Sequence, residues 1–291
     1  MSKVETKVVV NTRGTADAFS LLGNVGNVVF LGESGLLKKD YARELISKCL
    51  GGASLDTCPD YYEVTGDGVI GVDHIHELAS FSMTVPVVGE RKYCLIPDAQ
   101  RMTPAASDAF LKMMEDSQYT VYVFTSSCVL QDTIMSRSRK LYFECLSKED
   151  FAGVVGDADS PVAKISDGRV GLYFSIKKDK SLCEVAKNIC HLTESIKDSR
   201  ELLDVFGLLK EKDKHNLFLL DKEYVLAFLS YLGKEFYLSG LGESGALYDV
   251  YGDRCLQCLS ELIQFRVLLQ KGNCSKNDFF ALVSKLVDLG Q

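Results

Sequence analysis

The chain has 291 residues, is 46% hydrophobic and 25% charged, and carries a formal net charge of −7. That length and composition allow one large domain or two to three small ones, each with an ordinary core. The acidic balance argues against a free-standing nucleic-acid binder, which needs a strong basic face, so any DNA contact would be local or shared with partner subunits.

Ten cysteines, several of them inside apolar segments, occur with no signal-like leader and no apolar run long enough to span a membrane. This pattern points to a cytoplasmic chain with reduced thiols and no membrane association.

Residues 1–25 are polar and mixed, without a motif. Asn27 to Gly32 reads as a strand, Ser34 to Lys39 as a loop, and Asp40 to Leu50 as an amphipathic helix with Ala42, Leu45, Ile46, Cys49 and Leu50 on one face. Strand, glycine loop and helix form the context of a phosphate-binding P-loop. Gly32-Glu33-Ser34-Gly35-Leu36-Leu37-Lys38-Lys39 occupies the G-x-x-x-x-G-K-[ST] frame. Leu37 stands where a glycine lets backbone N–H groups curl toward phosphates, and Lys39 where a Ser or Thr would ligate magnesium. Gly32, Gly35 and Lys38 are the candidate contacts that such a degenerate loop retains. Lys38 and Lys39 at the helix N-terminus are able to attract a phosphate; the plainer reading makes both of them solvated surface lysines.

Cys58-Pro59-Asp60 leads into a strand through Tyr61 to Val64, and Ile70 to Leu78 reads as a helix start. His74 and His76 are too closely spaced to share a helix face as a metal pair, and read as rim residues. Cys255-x-x-Cys258 lacks a second pair at zinc spacing and reads as core cysteines on a helix.

Tyr93 to Ile96 and Val121 to Phe124 are short apolar runs of the kind buried on both faces of a parallel sheet. Between them, Thr103 is a good N-cap and Pro104 suits the first helical position. Ala106, Ala109, Phe110, Met113 and Met114 then share a face, with Ser107, Asp108, Lys112 and Glu115 off it. Ser136-Arg137-Ser138-Arg139 forms a basic turn before a strand over Lys140 to Phe143.

Ser147 to Asp150 resembles a capped helix start, opening a small helical segment to about Lys180. From Ser181 the pattern is helical throughout. Apolar faces recur over Leu182–Ile196, Leu202–Leu209, Tyr224–Leu238, Leu256–Leu269 and Phe279–Leu286, with breaks at Lys210–Lys214, Gly240–Gly245 and Lys271–Lys276.

Two runs carry a resemblance: Asp98-Ala99-Gln100-Arg101-Met102 with Ala105 to Glu115, and Thr125 with Thr133-Ile134-Met135-Ser136-Arg137-Ser138. They resemble the clamp-loader branch of the AAA+ ATPases, and within it the delta prime type of bacterial DNA polymerase III subunit. The match is close over Asn27 to Arg139 and weaker to about Ser175. The resemblance implies a parallel-sheet AAA+ P-loop-type α/β domain over 1–145, a helical lid over 146–180 and an all-α oligomerisation collar over 181–291.

The family's metal-linked Asp is Pro97 here, and Asp98 stands at its water-activating Glu. An arginine of the ATPase members falls at Gly171, with Arg169 nearby. The cysteine module that often binds zinc between the positions of Cys49 and Cys58 looks deleted, so no zinc is expected. No cofactor is expected either, although the degenerate site leaves ATP or ADP binding open.

Arg137 matches an arginine finger presented across a subunit boundary. The plainer alternative is a solvated basic turn. The implied function is a non-catalytic stator that assembles with gamma/tau and delta subunits to load the sliding clamp on primed DNA, touching DNA only through the complex. By itself it would have no ATPase activity, though it would be part of the DNA polymerase III holoenzyme. The alternative is a divergent gamma/tau-like ATPase motor that uses Lys38 and Asp98.

Overall fold

The computed structural model describes residues 11–13, 26–66, 68–207, 222–242, 245–270 and 276–290. Of the expected features, the end of the Leu202–Leu209 helix, the break at Lys210–Lys214 and most of the break at Lys271–Lys276 lie outside the described residues. The chain forms two compact units: Met1–Ser147 with Arg169–Gly171, and Lys148–Gly168 with Leu172–Gln291.

The first unit runs β1 (Asn11–Arg13), β2 (Val28–Leu31), α1 (Lys38–Cys49), β3 (Tyr61–Glu63), α2 (Val72–Ser82), β4 (Lys92–Ile96), α3 (Pro104–Asp116), β5 (Thr120–Ser126), α4 (Asp132–Ser136) and β6 (Arg139–Glu144). The sheet order is β1-β6-β2-β5-β4-β3. Strands β2 to β6 are parallel, and β1 pairs antiparallel with the outer side of β6. The polar stretch read as lacking a motif thus supplies an edge strand.

Alternation along the strands builds two cores. Val29, Leu31, Cys94, Ile96, Tyr122 and Phe124 join Ile75 and Leu78 of α2, Ala106, Phe110 and Met113 of α3, and Ile134 of α4. Val28, Phe30, Tyr93, Leu95, Val121, Val123, Leu141 and Phe143 join Ala42, Leu45 and Ile46 of α1. The result is a sheet with helices on both faces, as the apolar runs implied.

Helix α3 begins as its sequence specifies: the Thr103 hydroxyl accepts from the Ala106 N–H at 3.1 Å, and Pro104 opens the helix. Ser107, expected off the apolar face, is buried instead. It lies next to Ala106 on a helix that is covered over more than one stripe.

The second unit is helical: α5 (Lys148–Val155), α6 (Pro161–Ser166), α7 (Val170–Lys178, which starts in the first unit), α8 (Lys180–Ser195), α9 (Leu202–Gly207), α10 (Lys222–Gly242), α11 (Ala246–Tyr251), α12 (Cys255–Gln270) and α13 (Lys276–Leu289). The chain is therefore an α/β domain followed by a helical portion. The break expected over Gly240–Gly245 is where α10 ends, at Gly242, and α11 begins, at Ala246. Gly240 lies against Cys255 and Leu256 of α12, so tertiary packing overrides its low helix propensity.

Candidate functional site

The parallel register brings the carboxyl ends of β2, β4 and β5 to one edge, where open α/β sheets bind ligands. The Gly32 N–H donates to the Ser126 carbonyl at 3.2 Å, and the Asp98 N–H donates to the buried Thr125 hydroxyl at 3.1 Å. These bonds draw together the loop after β2, the Pro97-Asp98 turn and the end of β5. Thr125 is a site residue that the sequence marked only as a strand end.

Gly32 has a reason to be glycine that is separate from phosphate: a Cβ there would stand 2.5 Å from the Phe143 carbonyl oxygen of β6. Lys38 is not a solvated lysine. It is 8% exposed, and its Nζ donates to the carbonyls of Gly32 at 2.7 Å and Glu33 at 2.6 Å. Lys39 reaches away, forming a 2.7 Å ion pair with Glu63 at the end of β3. Burial pushes the Glu63 carboxyl up, but Lys39, Tyr61 and Arg43 outweigh that and hold it below the usual carboxylate range.

Leu37, just ahead of α1, is left-handed at φ 57° and ψ 25°. Pro97 is buried and offers no carboxylate; Asp98 is exposed and also left-handed, at φ 49°. Arg169 is buried and stands 3.6 Å from the Glu33 carboxylate of the loop. The Gly171 N–H donates to the Gly35 carbonyl at 2.9 Å. Of the expected residues, Gly32, Gly35, Lys38 and Asp98 thus lie on one edge.

Arg137 ends α4 as its C-cap and is 45% exposed at the side chain. Its Nη2 donates to Glu115 Oε1 at 2.9 Å, and its Nη1 to the Thr133 carbonyl at 3.3 Å. Glu115, 57% exposed, comes from the last turn of α3, where an acid faces the unfavourable end of the helix dipole. The pairing was not legible, because its partners are 22 residues apart.

His74 caps α2, its Nδ1 accepting from the Gly71 N–H at 3.3 Å, while His76 is exposed. Cys255 and Cys258 are buried in the second unit. No helix among the described residues is long and apolar enough to cross a membrane.

A five-stranded parallel sheet with a P-loop frame, an acidic turn and a threonine converging on one carboxyl edge defines an AAA+-like α/β protein. Residues 26–147 match the family model described as DNA polymerase III, delta subunit. Over that segment, less than half of its length, the chain is similar to subunits of DNA polymerase III.

Among solved structures, a gamma subunit-related protein of DNA polymerase III from Thermotoga maritima is similar at 17% identity and TM-score 0.51, over 92% of this chain and 96% of that one. The clamp loader delta protein of Bacillus subtilis aligns at 10% identity and TM-score 0.34, over 92% and 98%. RuvB of Thermotoga maritima aligns at 15% and 0.40, over 84% and 77%. The first of these likenesses speaks for the fold. None of the curated proteins matches the chain.

Proposed function

We propose that the chain is a non-catalytic clamp-loader subunit of the delta prime type. It assembles with gamma/tau and delta subunits and offers Arg137 to a neighbour's ATP site, so that ATP state is coupled to placing the sliding clamp on primed DNA. One contrast carries this reading. The cation that would hold the chain's own phosphates, Lys38, is turned onto loop carbonyls, whereas Arg137 stands on an exposed turn.

The residues present do not fit a magnesium-bound nucleotide. Lys39 and Pro97 bring no side-chain oxygen to a metal, and the Leu37 side chain lies against Gly171. Positioned phosphates and magnesium supply most of phosphoryl-transfer catalysis, so hydrolysis by this chain alone is not expected.

The pair with Glu115 does not oppose the role of Arg137. Exposed ion pairs are worth about 0–1 kcal/mol, little enough to be exchanged for a triphosphate. The guanidinium presents a forked donor set suited to phosphate oxygens.

The test is reconstitution with gamma/tau, delta and the clamp. Arg137→Ala is expected to leave assembly intact and to slow hydrolysis at the site it serves by roughly 10³-fold, the scale of a finger supplied in trans. Arg137→Lys should not restore it. Unchanged hydrolysis in the assembled Arg137→Ala complex would defeat the role. Turnover by the isolated chain, lost in Lys38→Ala, would favour the ATPase motor instead.

A further inference from the structure

We infer that the loop after β2 has become an intramolecular clasp: it grips Arg169–Gly171 of its own chain where a nucleotide would otherwise lie, and Leu37 and Gly171 are its matched halves. Arg169–Gly171 belongs to the same compact unit as the loop. The inference extends the reading that this chain's own site is inactive, and it does not depend on Arg137.

Volume is the first ground. A Cβ built on Gly171 would stand 2.7 Å from Leu37 Cδ2, 3.0 Å from Leu37 Cγ and 2.9 Å from the Gly35 carbonyl oxygen. The leucine at 37 therefore fills the space that any side chain at 171 would need. No residue other than glycine fits at 171 while Leu37 keeps this conformation.

The second ground is the direction of the loop's polar groups. A phosphate cradle needs N–H groups converging on the anion. Here the Gly32 and Glu33 carbonyls accept from Lys38, and the Gly35 carbonyl accepts from the Gly171 N–H. The Glu33 carboxylate faces the buried Arg169 guanidinium at 3.6 Å. The loop is satisfied as an acceptor of its own chain's cation and amide, which is the reverse of an anion site.

Strain is the third. A left-handed leucine is disfavoured relative to ordinary backbone, so the surrounding contacts must hold it there. Burying its side chain against Gly171 supplies such a contact. For a nucleotide to enter, Lys38 would have to leave two carbonyls, Leu37 would have to swing out and Gly171 would have to detach from Gly35. Apparent affinity falls by the fraction of molecules in that opened state.

The test is a two-by-two cycle on the isolated full chain, using wild type, Leu37→Gly, Gly171→Ala and the double variant. It is read by thermal unfolding and by titration with magnesium ATP. Gly171→Ala is expected to lower the Tm by about 5 °C beside Leu37 and by clearly less beside a glycine at 37. Should Gly171→Ala alone not fold, recovery of a folded chain in the double variant is the expected result, and continued misfolding overturns the pairing. Equal losses in both backgrounds also overturn it. Wild type should show no saturable binding of magnesium ATP; saturable binding abolished by Lys38→Ala would overturn the clasp. The finger experiment reads hydrolysis in the assembled complex, so either idea can fail without the other.

Discussion

Asp60 enters β3 with 0% exposure, yet its carboxylate is well supplied with donors. The backbone N–H of Val87 donates to both oxygens at 2.8 and 3.0 Å, and those of Val88 and Gly89 donate to Oδ2 at 2.6 and 3.1 Å. Burial pushes the carboxyl up, but these amides and nearby Lys92 together hold it below the usual range. The charged form is therefore favoured in the folded state. Its contribution is present above the unfolded-state pKa of about 3.9 and is lost as pH falls through the lower folded value.

Asp60→Asn replaces an acceptor with an NH₂ group facing amide donors. A loss of about 2–3 kcal/mol is expected, seen as a lower Tm at neutral pH. The gap between variant and wild type should close as the pH is taken down through that range. A gap independent of pH would mean that the charge is not what holds the Val87–Gly89 loop. The sequence offered Cys58-Pro59-Asp60 only as a strand entry. The donors come from a loop 27–29 residues away, which no local pattern reveals.

At the scale of elements, the second unit presents helices that are apolar beyond the stripe they bury. Helix α10 buries Val225, Phe228, Leu229, Leu232 and Phe236, and exposes Tyr237, Leu238 and Leu241. Helix α12 buries Cys258, Leu262 and Phe265, and exposes Leu256, Ile263 and Val267. Exposed apolar surface on this scale supports assembly with other subunits. Leu238→Ser and Ile263→Ser, made separately, should leave the Tm of the isolated chain nearly unchanged, because each side chain is about half exposed. In the assembly proposed above, binding to gamma/tau should weaken by tenfold or more in a pull-down or sedimentation titration. A falling Tm with unchanged binding would assign these faces to the unit's own stability.

Which elements were legible follows from the same physics. Helix α3 could be read because Thr103, Pro104 and the spacing from Ala106 to Met113 all specify it locally. The end of α10 was legible only to within the Gly240–Gly245 interval, because Gly240 stays helical against α12.

For the whole molecule, the sheet with helices on both faces was readable from apolar strand runs alternating with amphipathic segments, and the helical remainder from its periodicity. The site was readable only as a set of unusual residues. Leu37 and Lys39 marked the loop as altered, but the residues the loop meets, Arg169 and Gly171, lie far downstream in the sequence. Arg137 was singled out by the resemblance of its turn to a family motif; composition alone left it a solvated basic turn.

The other unread element, β1, has a practical consequence. Asn11, Thr12 and Arg13 lie opposite Glu144, Phe143 and Tyr142 and close the outer rim of β6. A shortened protein begun at Gly26 would leave that rim's amide and carbonyl groups bare, ready to recruit a strand from another molecule. It should scatter light and form concentration-dependent multimers under conditions where the uncut chain stays clear.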